Sequence, residues 1–86
     1  MALSKQYLAK KCASQQKLVA KQLRKQRVNL DFSQDELAQR AGIERRTVNR
    51  IENGHFSPTL ETLTRLCLVL KISPSTLFGS GRRAKK

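Results

Sequence analysis

Apolar residues recur at helical spacing along most of this chain, and no segment shows the strict alternation of a β-strand. Residues 15–29 contain neither Gly nor Pro, and Val19 and Leu23 lie one turn apart, which predicts a first helix over this range. The strongest helical stripe lies near the C-terminus and consists of Leu63, Leu66, Cys67 and Leu70. The chain is therefore expected to be all-α.

Capping signals predict where the shorter helices begin and end. Ser33 can cap a second helix, and Glu36 three positions later completes a capping box. Gly42 ends this helix, because Gly permits the positive φ of a tight turn. A third helix is expected from about Glu44 to Glu52, with Asn53-Gly54 as its stop.

Two more helices follow, the first capped by Thr59 and the second opened by Ser73-Pro74. Together the signals predict a compact five-helix domain over residues 15–79. Residues 1–14 are expected to be a basic N-terminal arm. Residues 80–86 are expected to be a basic, disordered tail, because they contain no apolar anchor.

The charge balance points to a polyanionic partner. The chain has 86 residues, with 18 Lys and Arg against 6 Asp and Glu, for a net charge of +12. The first thirty residues hold eight of the basic residues and no acidic one. A membrane fits less well than nucleic acid, because the longest apolar run, Leu66 to Leu70, is far too short to span one. No secretory signal is recognisable, so a cytoplasmic location without membrane binding is expected.

Metal, cofactor and catalytic chemistry find little support in the sequence. Cys12, Cys67 and His55 share no metal-ligand spacing, so neither a metal site nor a cofactor is expected. A single His in a predicted loop offers no catalytic set with a nucleophile, and the chain is not expected to be an enzyme. Cys67 lies on the apolar stripe and is interpreted as a small core residue.

The second and third helices, joined by a short Gly-containing turn, form the helix-turn-helix arrangement. Val48 and Ile51 are expected to face inward on the third helix, which leaves the polar side chains facing outward. Arg can bond bidentately to guanine, and Asn to adenine, in the major groove. The outward side chains with these chemistries are Arg45, Arg46, Asn49 and Arg50.

An ordered set of residues runs from about Val19 to Phe78 and resembles the phage-repressor/Cro-type family, also called XRE. Its most distinctive parts are Phe32-Ser33-Gln34-Asp35-Glu36-Leu37-Ala38, Ala41-Gly42-Ile43, Arg50-Ile51-Glu52-Asn53-Gly54 and Ser57-Pro58-Thr59-Leu60. The resemblance implies a repressor-type helix-turn-helix fold and sequence-specific binding of double-stranded DNA. In its small size the chain resembles three kinds of protein: restriction–modification controller proteins, phage regulators and antitoxins.

The resemblance also implies roles for individual residues. Gln34 matches a position that bonds a DNA phosphate and buttresses the recognition helix. Arg27 and Glu52 match a structural ion pair. Base contacts are implied for Arg45, Arg46, Asn49 and Arg50, and backbone contacts for Thr47, Asn53, Gly54 and His55.

Two of these assignments have alternatives within the sequence. Arg50 could instead pair with Glu36 or Asp35, and His55 could be an ordinary loop residue.

Three positions depart from the family pattern. Glu44 stands where Ser or Thr is usual, and it could accept from a cytosine or repel a phosphate. Gln26 replaces a common apolar residue, which suggests a weaker core there. Asp31 replaces the common Gly after the first helix, which suggests a slightly altered turn.

A homodimer on a near-palindromic operator is the leading hypothesis for the assembly. Its interface is expected to be an apolar patch of Leu68, Val69, Ile72, Leu77 and Phe78. Alternatively, Leu68 and Val69 pack under the first helix or the basic arm. A second class of function is an antitoxin-type protein-interaction module, which binds a toxin protein and has DNA binding as a secondary task. A third is a non-specific basic nucleic-acid binder. RNA polymerase, touching Asp35 and Glu36, is a further candidate partner.

Overall fold

The computed structural model describes residues 2–79, and within them it contains five α-helices and no strand. The predicted all-α, five-helix fold is therefore confirmed. The predicted tail, residues 80–86, lies outside the described residues. The helices are α1 (Lys5–Asn29), α2 (Gln34–Ala41), α3 (Arg45–Glu52), α4 (Leu60–Leu70) and α5 (Pro74–Leu77).

Helix α1 begins ten residues earlier than the sequence pattern predicted. Its N-cap is Ser4, whose hydroxyl accepts a hydrogen bond from the Tyr7 N–H at 3.0 Å. Every residue from 2 to 15 is exposed, so this part of α1 has no apolar stripe that periodicity could reveal. The segment predicted as a basic arm is thus largely the first half of a 25-residue helix. No helix within residues 2–79 is long and apolar enough to cross a membrane.

The core is formed by one or more side chains from each of the five helices. Seven are almost fully buried: Leu23, Leu37, Val48, Ile51, Leu66, Leu70 and Leu77. The stripe predicted on α4 faces this core, with Leu66, Cys67 and Leu70 buried and Leu63 partly buried. Desolvation raises the pKa of the Cys67 thiol above its ordinary value, as expected for a cysteine that acts as a small apolar residue.

The turn between α2 and α3 depends on Gly42. This residue has a φ of 71°, in the left-handed region that favours Gly. A side chain here would also place its Cβ 2.9 Å from Nη1 of Arg65 on α4. That same nitrogen donates to the Ala41 carbonyl at 3.1 Å and so satisfies a carbonyl at the end of α2. The turn of the motif is therefore fastened to α4 as well as to its own helices.

The start of α2 has only half of the predicted capping box. Ser33 Oγ accepts from the Glu36 N–H at 3.0 Å, as predicted. The Glu36 carboxylate makes no hydrogen bond back to Ser33 and lies instead 3.7 Å from Arg40. Arg40 lies four residues later on the same helix face, and the Glu36 carboxylate is directed toward it and not toward Ser33.

Two of the departures from the family pattern have clear structural outcomes. Gln26 Nε2 donates to the Leu70 carbonyl at 2.9 Å, so this position ties α1 to the end of α4 by a hydrogen bond in place of apolar contact. Asp31 itself adopts the left-handed conformation, with a φ of 64°. Short polar side chains tolerate this region better than most, so the chain still turns sharply after α1.

A buried ion pair connects the end of α1 to the end of α3. Arg27 Nε donates to Glu52 Oε2 at 2.7 Å, and a second guanidinium nitrogen donates to Oε1 at 3.0 Å. The third nitrogen donates to the Phe32 carbonyl at 2.7 Å. The side chains are only 13% and 4% exposed, respectively. These are the two residues that the family resemblance implied as an ion pair.

Replacement of Arg27 should destabilise the fold strongly. We expect Arg27→Met to lower the free energy of unfolding by about 3 kcal/mol, because it leaves the Glu52 carboxylate buried without its cation. Urea denaturation followed by circular dichroism measures this change. The matched control is Arg40→Met, which removes an exposed ion pair and a contact with the Phe32 ring and should cost about 1 kcal/mol or less. Equal unfolding midpoints for the two variants would contradict the structural role of the buried pair.

Candidate nucleic-acid interface

Helix α3 has one face in the core and one face in solvent. Val48 and Ile51 are buried, which fixes the rotation of this eight-residue helix about its axis. The side chains on the opposite side are all exposed: Arg45, Arg46, Asn49 and Arg50. The structure therefore brings the four predicted base-contacting residues onto one accessible surface.

A chain of hydrogen bonds runs from the buried ion pair to this surface. Gln34 Nε2 donates to Glu52 Oε1 at 3.0 Å, and Gln34 Oε1 accepts from Asn49 Nδ2 at 3.2 Å. Asn49 Oδ1 in turn accepts from Asn53 Nδ2 at 3.2 Å. Because an ionised carboxylate can only accept, Glu52 fixes which way the Gln34 amide faces. The orientation of each following amide is set by the one before it.

This chain of hydrogen bonds connects Gln34, the first residue of α2, to α3. The family resemblance implied that Gln34 buttresses the recognition helix from this position. The extension of the chain of hydrogen bonds to Asn49 and Asn53 was missed by the sequence analysis. The only signal was the i,i+4 spacing of the two asparagines, which places them on the same side of α3. Each amide nitrogen has two protons and uses one of them in the chain, so each retains a donor for a ligand.

The arginines of α3 are held loosely or not at all. Arg45 Nε lies 3.4 Å from Asp35 Oδ1, and both side chains are largely exposed, so this contact is weak. Arg50 pairs with neither Asp35 nor Glu36 and lies 6.0 Å from the centre of the Phe56 ring. No ion pair or hydrogen bond holds the side chain of Arg46 within the described part of the chain. These guanidinium groups can therefore reorient toward a ligand at little cost.

The ends of α3 carry the remaining predicted contact residues. Glu44 is the N-cap residue, its side chain makes no capping hydrogen bond, and it is exposed at the start of α3. Thr47 is half-buried, whereas Asn53 and His55 are exposed. Gly54 is buried against α1 with a φ of 77°, and an added Cβ would lie 3.7 Å from the Lys17 Cα.

The predicted dimer patch is only partly exposed. Leu68 is 74% exposed and Phe78 is 42% exposed, while Val69 and Ile72 are partly buried against the core. Leu77 is 1% exposed, so its inclusion in a dimer surface was wrong. The short helix α5, capped by the Ser73 hydroxyl at the Thr76 N–H, turns Leu77 inward as the last core residue.

Metal binding has no structural candidate among residues 2–79. No group of three His, Cys, Asp or Glu side chains lies close enough together there to hold an ion. Cys12 is an exposed free thiol on α1, and Cys67 is a buried one on α4.

Known proteins share both the sequence pattern and the fold. The chain is 38% identical over 48 residues to an uncharacterized HTH-type transcriptional regulator of Methanothermobacter thermautotrophicus, a match that covers 56% of this chain and 70% of that protein. The solved structure of a hypothetical transcription factor, NHTF, from Neisseria superposes with a TM-score of 0.73 at 26% identity. It covers 79% of this chain and 80% of the Neisseria chain.

A second solved structure is a transcriptional regulator from Vibrio cholerae, described as a member of the HTH_3 family. It superposes with a TM-score of 0.72 at 31% identity and covers 78% of this chain, which spans only 38% of the Vibrio chain. The family model for HTH_3, described as helix-turn-helix, matches residues 23–77, from within α1 to the end of α5. The chain therefore belongs to the HTH_3 family of helix-turn-helix proteins, and its resemblance to the phage-repressor type is confirmed.

Proposed function

We propose that this protein is a transcription regulator that binds a near-palindromic DNA operator as a homodimer. The observation that carries the proposal is the division of α3 into a buried face, Val48 and Ile51, and an exposed face of arginine and asparagine. Such a short, rigid helix with bidentate donors fits the major groove. The transcription regulators that are similar to this chain in sequence or structure support the regulatory part of the proposal.

In this proposal the surface of α3 makes two kinds of contact with DNA. The arginine side chains bond base edges, and Asn49 presents an amide whose orientation Gln34 has already set. Phosphate contacts position the helix and supply most of the affinity. The residues assigned to them are Gln34, Thr47, Asn53, Gly54 and His55. Glu44 limits how closely a phosphate approaches the start of α3, or accepts from a cytosine.

The proposed dimer uses the exposed apolar residues of the predicted patch, at the end of α4 and beside α5. Leu68, at 74%, is the most exposed residue of this patch, and Phe78 follows directly after α5. A two-fold contact uses the same patch on both subunits, and it leaves α3 free if the patch lies away from the DNA. Two recognition helices about 34 Å apart would then enter successive major grooves on one side of the duplex.

Loss of an α3 arginine should reduce sequence selectivity. We expect Arg46→Ala to weaken binding to a duplex selected from a random library by about ten- to a hundredfold, as for the loss of one bidentate base contact. Binding to a random-sequence duplex should change by threefold or less. Fluorescence anisotropy titrations with both duplexes at one salt concentration measure the two effects.

The matched control is Arg40→Ala, which removes the same charge from an exposed arginine outside α3. It should leave the ratio of the two affinities unchanged. If Arg46→Ala weakens both duplexes equally, Arg46 contacts phosphate and its assignment to a base is wrong. A wild-type protein that never prefers the selected duplex would instead favour a non-specific binder, and copurification of a second protein would favour an antitoxin.

A charge at Leu68 should separate the subunits. We expect Leu68→Glu to give a folded monomer by sedimentation velocity and circular dichroism. A two-fold interface would bury one carboxylate from each subunit, which is costly without a cation. Leu60→Glu, at the other end of α4 and also highly exposed, should remain dimeric. A Leu68→Glu variant that stays dimeric would place the interface elsewhere.

A further inference from the structure

The outer face of α1 carries four cations that the helix-turn-helix motif does not use. Lys17, Lys21, Arg24 and Lys25 are spaced at i, i+4, i+7 and i+8, so they share one side of the helix. All four are exposed, while Val19 and Leu23 on the other side are buried in the core. We call these four residues the α1 basic stripe.

The α1 basic stripe forms one wall of an open groove. The opposite wall is the end of α3 and the residues that follow it: Glu52, Asn53 and Gly54. The two walls are in close contact at Gly54, where an added Cβ would lie 3.6 Å from Lys17 Cγ and 3.8 Å from Ala20 Cβ. The stripe therefore continues directly from the surface that carries the candidate DNA contacts.

Among residues 2–79, no acidic group forms an ion pair with the stripe. The one carboxylate in the groove belongs to Glu52, whose side chain is 4% exposed and is already bonded by Arg27 and Gln34. The ion pairs formed by the described residues include no member of the stripe. Four positive charges thus face solvent with no internal counter-charge, which is an arrangement that attracts a polyanion.

We propose that the α1 basic stripe binds the phosphate backbone of the same DNA duplex that α3 contacts. The inference rests on the proposed function, because it assumes that α3 lies on DNA. From Lys17 to Lys25 the helix rises by about 12 Å, and a DNA strand places a phosphate about every 3.4 Å along its axis. The stripe is therefore long enough to lie against several phosphates beside the groove that α3 occupies.

A lipid surface fits the stripe less well than DNA does. An amphipathic helix that binds a membrane buries its apolar side among the lipids. In this part of α1 the apolar side, including Val19 and Leu23, is already buried in the protein core. A membrane would gain nothing from the position of the stripe beside Asn53 and Gly54. DNA, in contrast, can contact both walls of the groove at once.

The test compares two double variants that remove the same charge from different segments of α1. Lys17→Gln/Lys21→Gln neutralises half of the stripe and keeps the methylene stem near Gly54. Lys5→Gln/Lys11→Gln is the control, since Lys11 lies over the Tyr7 ring at 5.7 Å and neither lysine lines the groove. Full-length proteins are titrated by anisotropy with the selected and random duplexes between 50 and roughly 400 mM KCl.

We expect the stripe variant to weaken binding to both duplexes equally, by about tenfold or more at 100 mM salt. The slope of log affinity against log salt should fall by about 2, as for the loss of two phosphate contacts. The control should change the slope by under about 0.5. Circular dichroism melting should be the same for both variants and the wild type.

Several outcomes would overturn the inference. Equal changes of the salt slope in the two variants would show that the effect comes from net charge alone. An unchanged salt slope in the stripe variant would show that the stripe does not contact DNA. Loss of binding to anionic phospholipid vesicles with unchanged DNA binding would assign the stripe to a membrane. In each case a wild-type protein that still prefers the selected duplex leaves the proposed function intact, whereas one that binds neither duplex overturns both.

Discussion

The buried pair of Arg27 and Glu52 is the constraint on which the geometry of α3 depends. The Glu52 carboxylate is almost removed from solvent, and such burial is costly unless its oxygens are satisfied. Arg27 and Gln34 together satisfy them, and Arg27 also bonds the Phe32 carbonyl. The end of α3 is therefore fixed to α1 and to the start of α2 at the same time. Any rotation of α3 would leave a charge buried without a partner.

The same pair also determines how an exposed amide is presented. Because a carboxylate cannot donate, Gln34 must turn its nitrogen toward Glu52 and its oxygen toward Asn49. A ligand that needs Asn49 in this orientation meets a side chain that has already lost much of its rotamer freedom. Preorganisation of this kind lowers the entropic cost of binding. Structural and binding roles are thus linked through a single hydrogen-bond chain.

The sequence was sufficient for most of the fold because its signals are local. Caps at Ser33, Thr59 and Ser73 and the left-handed Gly42 mark helix ends through contacts within one turn. The first half of α1 was missed because its residues are exposed, and an exposed helix has no apolar period. Leu77 was misplaced because its direction depends on where α5 packs against the other helices, which is not a local property.

The candidate site was predictable only in part. The exposed face of α3 followed from the inward positions Val48 and Ile51. The hydrogen-bond chain did not, because a Gln or Asn side chain has many possible partners until its neighbours are known in three dimensions. The α1 basic stripe was visible as a run of charge, but its position beside Asn53 required the packing of α1 on Gly54.

The unequal anchoring of the α3 side chains has an evolutionary consequence. Arg45, Arg46 and Arg50 make no strong contact with the rest of the described chain, so substitutions there can alter the DNA preference proposed for α3 without loss of fold. Asn49 is different, since a change there also removes the donor to Gln34 Oε1 and the acceptor of Asn53 Nδ2. Binding preference should therefore diverge readily among descendants at the three arginine positions. At Asn49 it should change only together with Gln34.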